Sequence, residues 1–411
     1  MKIAVIGGGA SGLIVAIVAR RRGAEVTIYE KTNRVGKKIL ATGNGRCNYT
    51  NMNMSMDRYH GKNVEKSEDV FNFFGLNDTL TFFEDLGIHT YVDESGKVYP
   101  NSLQASSILD VLRYEVERLN ILELTDFEVK ELRKNKDKFS IIGKEETHNA
   151  DKVILCCGGK SSPQLGSDGS GYKLAEIFGH NLIDPFPALV QLKLKGNYFK
   201  KITGVRFDGV VKGIEDKKVI REEEGEILFT EYGISGPPIL QISRMLINEK
   251  NKGKTVYVLV DSFPQFNKVM LYDLLNDRFS KMAYKNLQDS LIGLINKKLI
   301  SVVLSEAGFE NFEQKEKKCS KLNKKEIYKI VDVLKEWKFE VIGHNTWEQS
   351  QVTAGGIDLL TVNNKTLESK KEKGLYLAGE ILDVDGDCGG FNLQWAWSSG
   401  YTAGYYSSEN I

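Results

Sequence analysis

Six consecutive residues, Gly7-Gly8-Gly9-Ala10-Ser11-Gly12, have the types and spacing that let a backbone approach a phosphate. They fit GxGxxG, follow the apolar run Ile3 to Ile6, open a helix-forming stretch, and are followed by Glu30 at the end of the next apolar run. Gly7 permits the tight turn, Gly9 leaves room for a pyrophosphate, and Gly12 lets helix and sheet pack closely. Ala10 and Ser11 begin the helix, whose free N–H groups and positive dipole end face the phosphates. Glu30 accepts hydrogen bonds from adenosine ribose hydroxyls, and its charge repels a 2′-phosphate. The chemistry expected is non-covalent binding of a dinucleotide. A glycine turn that merely packs a helix is the weaker reading, because strand, helix and acid are all in place.

The fingerprint alone does not separate NAD from FAD, which share an ADP half. Two later segments favour FAD. Asp151-Lys152-Val153-Ile154-Leu155-Cys156-Cys157-Gly158-Gly159 is an apolar strand running into two glycines. Gly374-Leu375-Tyr376-Leu377-Ala378-Gly379-Glu380 is a late strand ending in a Gly-acid pair, with Asp387 a few residues on. Gly166, Gly169 and Gly171 have the wrong spacing for a second fingerprint, so no dedicated NAD(P)H domain is expected. NADH or NADPH is left the role of a transient electron donor at the flavin face.

The elements that must position these residues read as follows. Lys2 to Ile6, Leu13 to Arg22 and Glu25 to Tyr29 make a βαβ unit, which crosses over right-handed and builds a parallel sheet. The polar, glycine-rich stretch 36 to 53 reads as a ligand-facing loop. Ser107 to Leu119 is helical, and residues 121 to 156 alternate as strands. Residues 189 to 262 read as short antiparallel strands, and Asn267 to Trp337 as a helical insert with apolar runs at Leu271 to Phe279, Leu287 to Leu299 and Ile327 to Leu334. A final strand, Leu375 to Ala378, and a helix from Asn392 to Tyr405 return to the first sheet.

The chain has 411 residues, more than one core usually sustains, with 41% hydrophobic and 27% charged residues and a formal net charge of +1. That balance gives no global pull toward nucleic acid or membrane. No signal-peptide pattern and no apolar stretch of roughly 20 residues appears, so a cytoplasmic location is expected. Cys47, Cys156, Cys157, Cys319 and Cys388 are scattered and odd in number, which points to free thiols and no structural metal.

Four segments resemble the bacterial aminoacetone-oxidase-type FAD-binding family. They are Thr42-Gly43-Asn44-Gly45-Arg46-Cys47-Asn48, Thr230-Glu231-Tyr232-Gly233-Ile234-Ser235-Gly236-Pro237, Thr353-Ala354-Gly355-Gly356-Ile357 and Gly389-Gly390-Phe391-Asn392-Leu393-Gln394. The resemblance runs essentially end to end. It implies an α/β fold with a discontinuous, doubly wound, Rossmann-like FAD-binding domain (1–188 and 346–411), an inserted antiparallel β-barrel-like domain (189–266 and 336–345) and a helical domain (267–335). It places Ser11, Glu30 and Lys31 near the ADP half, and Lys38 with Thr42 to Asn48 along pyrophosphate and flavin. It also places Val129 near adenine, Asp387 near the ribityl chain, and Asn392, Leu393 and Gln394 near the isoalloxazine. Members include a bile-acid reductase acting on 3-oxo-Δ4 or Δ6 steroid intermediates, so no one substrate follows.

The expected function is flavin-dependent oxidation or reduction of a small organic substrate, an amine, an aminoketone or an enone, by hydride transfer at flavin N5. No membrane or nucleic-acid partner is expected, and the sequence assigns no oligomeric state and no catalytic acid or base. Cys47 reads as a redox thiol or a plain packing residue. His344 reads as a general acid or base, or as a satisfied structural histidine. Tyr232 and Ser235 line a substrate cleft, or Ser235 only caps the helix after Pro237. The lysines from Lys315 to Lys325, interspersed with glutamates, read as a solvated helix face. An RNA-binding or tRNA-modifying flavoprotein and a non-catalytic flavin-binding sensor remain as alternative readings.

Overall fold

A computed structural model describes residues 1–409. Its first compact unit comprises residues 1–187 and 347 onward, and its second comprises Ala188–Thr346. The first unit is built on five parallel strands in the order Leu375–Leu377, Lys152–Leu155, Lys2–Ile6 (β1), Glu25–Tyr29 (β2) and Leu122–Leu124. The three central strands are buried on both faces, which is why they read as continuous Val/Ile/Leu runs without alternation. Helix α1 (Ala10–Arg21) connects β1 to β2. The closing helix, Phe391–Ser407, lies against α1 through Gly400 and Gly404. A Cβ on these glycines would stand 2.7 Å from the Ser11 carbonyl oxygen and 2.9 Å from that of Val15, so the two backbones touch.

The second unit holds a closed barrel of six strands: Leu192–Leu194, Gly233–Ser235, Lys218–Thr230, Arg206–Glu215, Val256–Asp261 and Trp337–His344. Phe229, Ile234, Val258 and Phe339 fill its interior, all at 2% exposure or less, and Val256–Asp261 alternates buried and half-buried as a barrel strand must. A helical region, including Lys268–Lys281, Lys297–Glu306 and Lys324–Glu336, is inserted between its last two strands. Asn267, Asn296 and Asn323 cap these helices by accepting from first-turn N–H groups. The fold class expected from the sequence therefore holds: a Rossmann-like domain, an inserted closed barrel and a separate helical region.

Several local readings change. The stretch 189 to 262 is not uniformly short strands; it contains strands of 10 and 13 residues and a 15-residue helix, Pro237–Asn251. The two long strands join through Asp216 and Lys217, both at positive φ, the backbone of a tight hairpin turn. Ser235 does not cap the helix: the cap residue is Gly236, at φ 111°, and Ser235 lies in a barrel strand. The run Leu287 to Leu299 breaks after Ser290 and resumes at Lys297, because Gly293 turns at φ 82° and Asn296 starts a new helix. The stretch 36 to 53 is more ordered than a loop, with a short helix at Lys37–Ala41 and a 3₁₀ turn at Thr42–Gly45. Among the described residues no helix is long and apolar enough to cross a membrane.

Candidate functional site

The glycine turn is shaped by contacts that exclude side chains on one side and leave the other open. Gly7 sits at φ 103°, and a Cβ there would stand 2.4 Å from the Cys156 carbonyl oxygen. A Cβ on Gly12 would meet the Gly7 carbonyl oxygen at 1.9 Å, whereas one on Gly9 meets nothing within 4 Å. The space over Gly9 opens into a cleft of ≈ 1260 Å³ in the first unit. No side chain caps α1, so its first-turn N–H groups are available to a ligand in that cleft.

At one end of the cleft stand Tyr29, Phe127 and Val129, apolar walls suited to a purine, with the Tyr29 and Phe127 rings 5.2 Å apart edge to face. Glu30 beside them is fixed by two backbone donors, the N–H groups of Gly8 and Thr32, each at 2.8 Å. Lys31 pairs with Asp168 at 2.5 Å, tying the segment after Gly166 to the end of β2. In the middle, Lys38 donates to Glu380 at 2.8 Å, and the other oxygen of that carboxylate accepts from the Thr353 N–H at 2.7 Å. At the far end, Asn392 and Leu393 lie in the first turn of the closing helix, whose uncapped N–H groups favour negative charge.

These walls fit FAD. Its diphosphate matches the uncapped start of α1 over Gly9, and its ribose hydroxyls match a carboxylate already fixed by backbone donors. One buried polar atom also awaits a partner. Ser167 lines the cleft at 6% exposure, and its hydroxyl has no hydrogen-bond partner.

Of the residues expected from the sequence, Gly7, Gly9, Ala10, Ser11, Glu30, Lys31, Lys38, Thr42, Val129, Cys157, Gly158, Glu380, Asn392 and Leu393 line this one cleft. Others stand behind the wall. Gly12 and Gly379 are backing residues, a Cβ on Gly379 falling 2.4 Å from the Ser11 hydroxyl. Gly159 abuts Thr353, and Gly390 abuts the Thr50 carbonyl. Gln394 is fully buried, accepting from Thr50 at 2.6 Å and donating to Thr79 at 2.7 Å. Asn48 donates to the Thr50 and Val98 carbonyls. Gly43, Asn44, Gly45 and Arg46 continue outward from Thr42, outside the cleft lining.

Cys47 is wholly buried, and burial pushes its thiol up to about 12, which removes the redox reading. Cys157 is likewise pushed up to about 12 by burial. Asp387 does not reach the cleft wall; it pairs with His60 at 2.9 Å. Of the two expected acids, only Glu380 faces the cleft. Sequence reasoning passed over Ser167, Phe127 and Trp395, which also line it. The glycines at 166, 169 and 171 were the available signal for Ser167, visible but discounted because they do not form a second fingerprint.

Comparison with known proteins places this geometry. The chain is 42% identical over 411 residues to a 3-dehydro-bile acid delta(4,6)-reductase of Clostridium scindens, covering 99% of each chain. It is 29% identical to ribosomal RNA dihydrouridine synthases of Haemophilus influenzae and Escherichia coli, over 97% of this chain and 96% and 95% of theirs. Residues 1–406 match the family described as HI0933-like protein Rossmann domain. On a match of that extent the chain belongs to this family, FAD-binding Rossmann-fold oxidoreductases related to bile-acid reductases.

Proposed function

We propose that this protein is an FAD-dependent reductase of a carbon–carbon double bond conjugated to a carbonyl. The observation that carries the reading is the cleft: an uncapped α1 over open Gly9, a backbone-fixed Glu30, Lys38 with Glu380, and a second helix start at Asn392. Bound there, FAD supplies the hydride. The relatives favour reduction over amine oxidation. A delta(4,6)-reductase of a 3-dehydro steroid and a dihydrouridine synthase both add two hydrogens across a C=C polarised by a neighbouring C=O. Greater identity to the first supports a small steroid-like enone as the substrate class, and reduced nicotinamide is the proposed electron donor.

In this reading Glu30 orients the adenosine ribose, the α1 N–H groups and Lys38 hold the diphosphate, Ser167 donates to a cofactor oxygen, and the Asn392 turn holds the pyrimidine edge. A second reading, reduction of uridine in RNA, rests on the dihydrouridine synthases. An anaerobic absorbance titration separates them. The purified protein should show flavin bands that bleach with NADH or NADPH and return on adding a 3-oxo-Δ4 steroid. Return with ribosomal RNA but not with the steroid would favour the second reading. Return with neither, and bleaching by aminoacetone instead, would overturn both.

A further inference from the structure

Outside the cleft wall, one cluster of chemically capable side chains lacks a structural explanation. Tyr99 is 5% exposed, yet its hydroxyl has no hydrogen-bond partner among the described residues. The Arg46 guanidinium carbon lies 5.1 Å from the centre of its ring, and Arg46 forms no ion pair among the described residues. Lys97, two residues earlier on the same strand face, lies against Gly389, its Cε 3.6 Å from where a Cβ on that glycine would stand. A buried phenol beside an arginine without a carboxylate is an expensive arrangement for packing alone.

Two segments tie this cluster to the cleft. Thr42 lines the cleft, and the chain reaches Arg46 four residues later. Asn392 lines the same cleft, and Gly389 stands three residues before it. The cluster therefore borders the end of the cleft lined by Asn392 and Leu393, where the proposed function puts the reacting ring.

We propose that Tyr99 is the proton donor of the reaction and that Arg46 stabilises the phenolate left behind. This rests on the enone-reductase reading. Reduced flavin, itself reduced by a dihydronicotinamide, delivers a hydride to the carbon β to the carbonyl. The π pair of the C=C shifts toward the carbonyl, giving an enolate. The Tyr99 O–H bond breaks as a C–H bond forms at the α-carbon, and the phenolate recovers a proton from water. The substrate gains one hydride and one proton, and the flavin is oxidised by two electrons. Burial raises the Tyr99 phenol above its usual value, keeping the proton in place at neutral pH, while Arg46 acts in the opposite direction; Asp93, Cys388 and Tyr91 are the other titratable neighbours, all raising it. Positioned proton transfer of this kind is worth roughly 10²–10⁴-fold in rate.

The test compares wild type with Tyr99→Phe in anaerobic single turnovers. Wild type that holds no flavin, or does not pass hydride to a 3-oxo-Δ4 steroid, would defeat the enone-reductase reading itself. If wild type is competent, Y99F should keep its flavin spectrum, its FAD dissociation constant and its rate of bleaching by the nicotinamide, while reoxidation by the enone slows at least a hundredfold. An independent readout uses the protein without substrate. The phenolate absorbance lost in Y99F, followed against pH, should move to higher pH in an Arg46→Gln background. Enone reduction at the wild-type rate in Y99F, or a phenolate signal indifferent to Arg46, would overturn the proposal.

Discussion

Gly9 and Gly12 belong to one turn but should answer substitution in opposite ways. Gly9 has an ordinary φ of −80° and open space where a side chain would go. Gly9→Ala should leave the apoprotein's Tm within a degree or two and weaken FAD binding at least tenfold, since the added methyl meets only the ligand. Gly12→Ala drives a methyl into the Gly7 carbonyl, a backbone atom that cannot step aside, and should cost about 1–3 kcal/mol of stability before any ligand is added. Thermal melts of the apoproteins and flavin-fluorescence titrations measure both; a Gly9→Ala variant with wild-type FAD affinity would remove the diphosphate from this turn. Glu30 and Gly9 were legible in the sequence because their roles are local, set by a strand, a turn and the next strand. Asp387 was not. It is drawn to His60, 327 positions away, because strands Asp385–Gly386 and Tyr59–His60 pair, and no local pattern announces a pairing at that separation.

At the scale of elements, the closeness of α1 and the closing helix sets where the cleft floor lies. Gly400 touches the carbonyl of Ser11, a residue that lines the cleft, whereas Gly404 touches Val15 one turn deeper. Gly400→Leu should therefore lower stability by about 1–3 kcal/mol through overpacking and also reduce FAD affinity, because the start of α1 must shift. Gly404→Ala should lower the Tm with a smaller effect on affinity. Equal losses of affinity in the two variants would mean that helix separation, rather than the position of Ser11, is what the ligand senses. Both helices were readable from periodicity and glycine stops, and so were the change to strands near 189 and the change to helices near 267. The closure of the six strands into a barrel, and the helix inside the supposed strand region, were not. Closure is a property of register between strands far apart in the chain, and Pro237–Asn251 begins in a Gly-Pro-Pro sequence that reads equally well as a turn.

For the whole molecule, buried titratable groups define the pH range of stability. His180 is 4% exposed, with its two ring nitrogens each 2.8 Å from a hydroxyl, of Thr361 and of Ser369; burial, helped by Lys371, lowers its pKa to about 4. The unfolded chain binds that proton near 6.5, so the unfolded state holds more protons between the two values. Stability is then complete above about 6.5 and declines as pH falls toward 4. Cys47, Cys157 and Tyr29 are each raised by burial to about 12, so the folded state holds more protons at high pH, and stability declines as pH rises from about 9 through 12. Melts across this range should give a plateau between roughly pH 6.5 and 9, and His180→Asn should flatten its acid side by several degrees; an unchanged acid side would assign that loss to carboxylates instead. The same architecture has a consequence for biogenesis. The sheet receives its edge strand from Leu375–Leu377 and its backing helix from Phe391–Ser407, both translated after the whole of Ala188–Thr346. During synthesis the first 187 residues must wait with apolar strand and helix surface uncovered while a complete second unit is made behind them. No nascent chain can close its nucleotide cleft until residue 407 has left the ribosome, so the interval before release is when this protein most needs a chaperone, and flavin supply cannot shorten it.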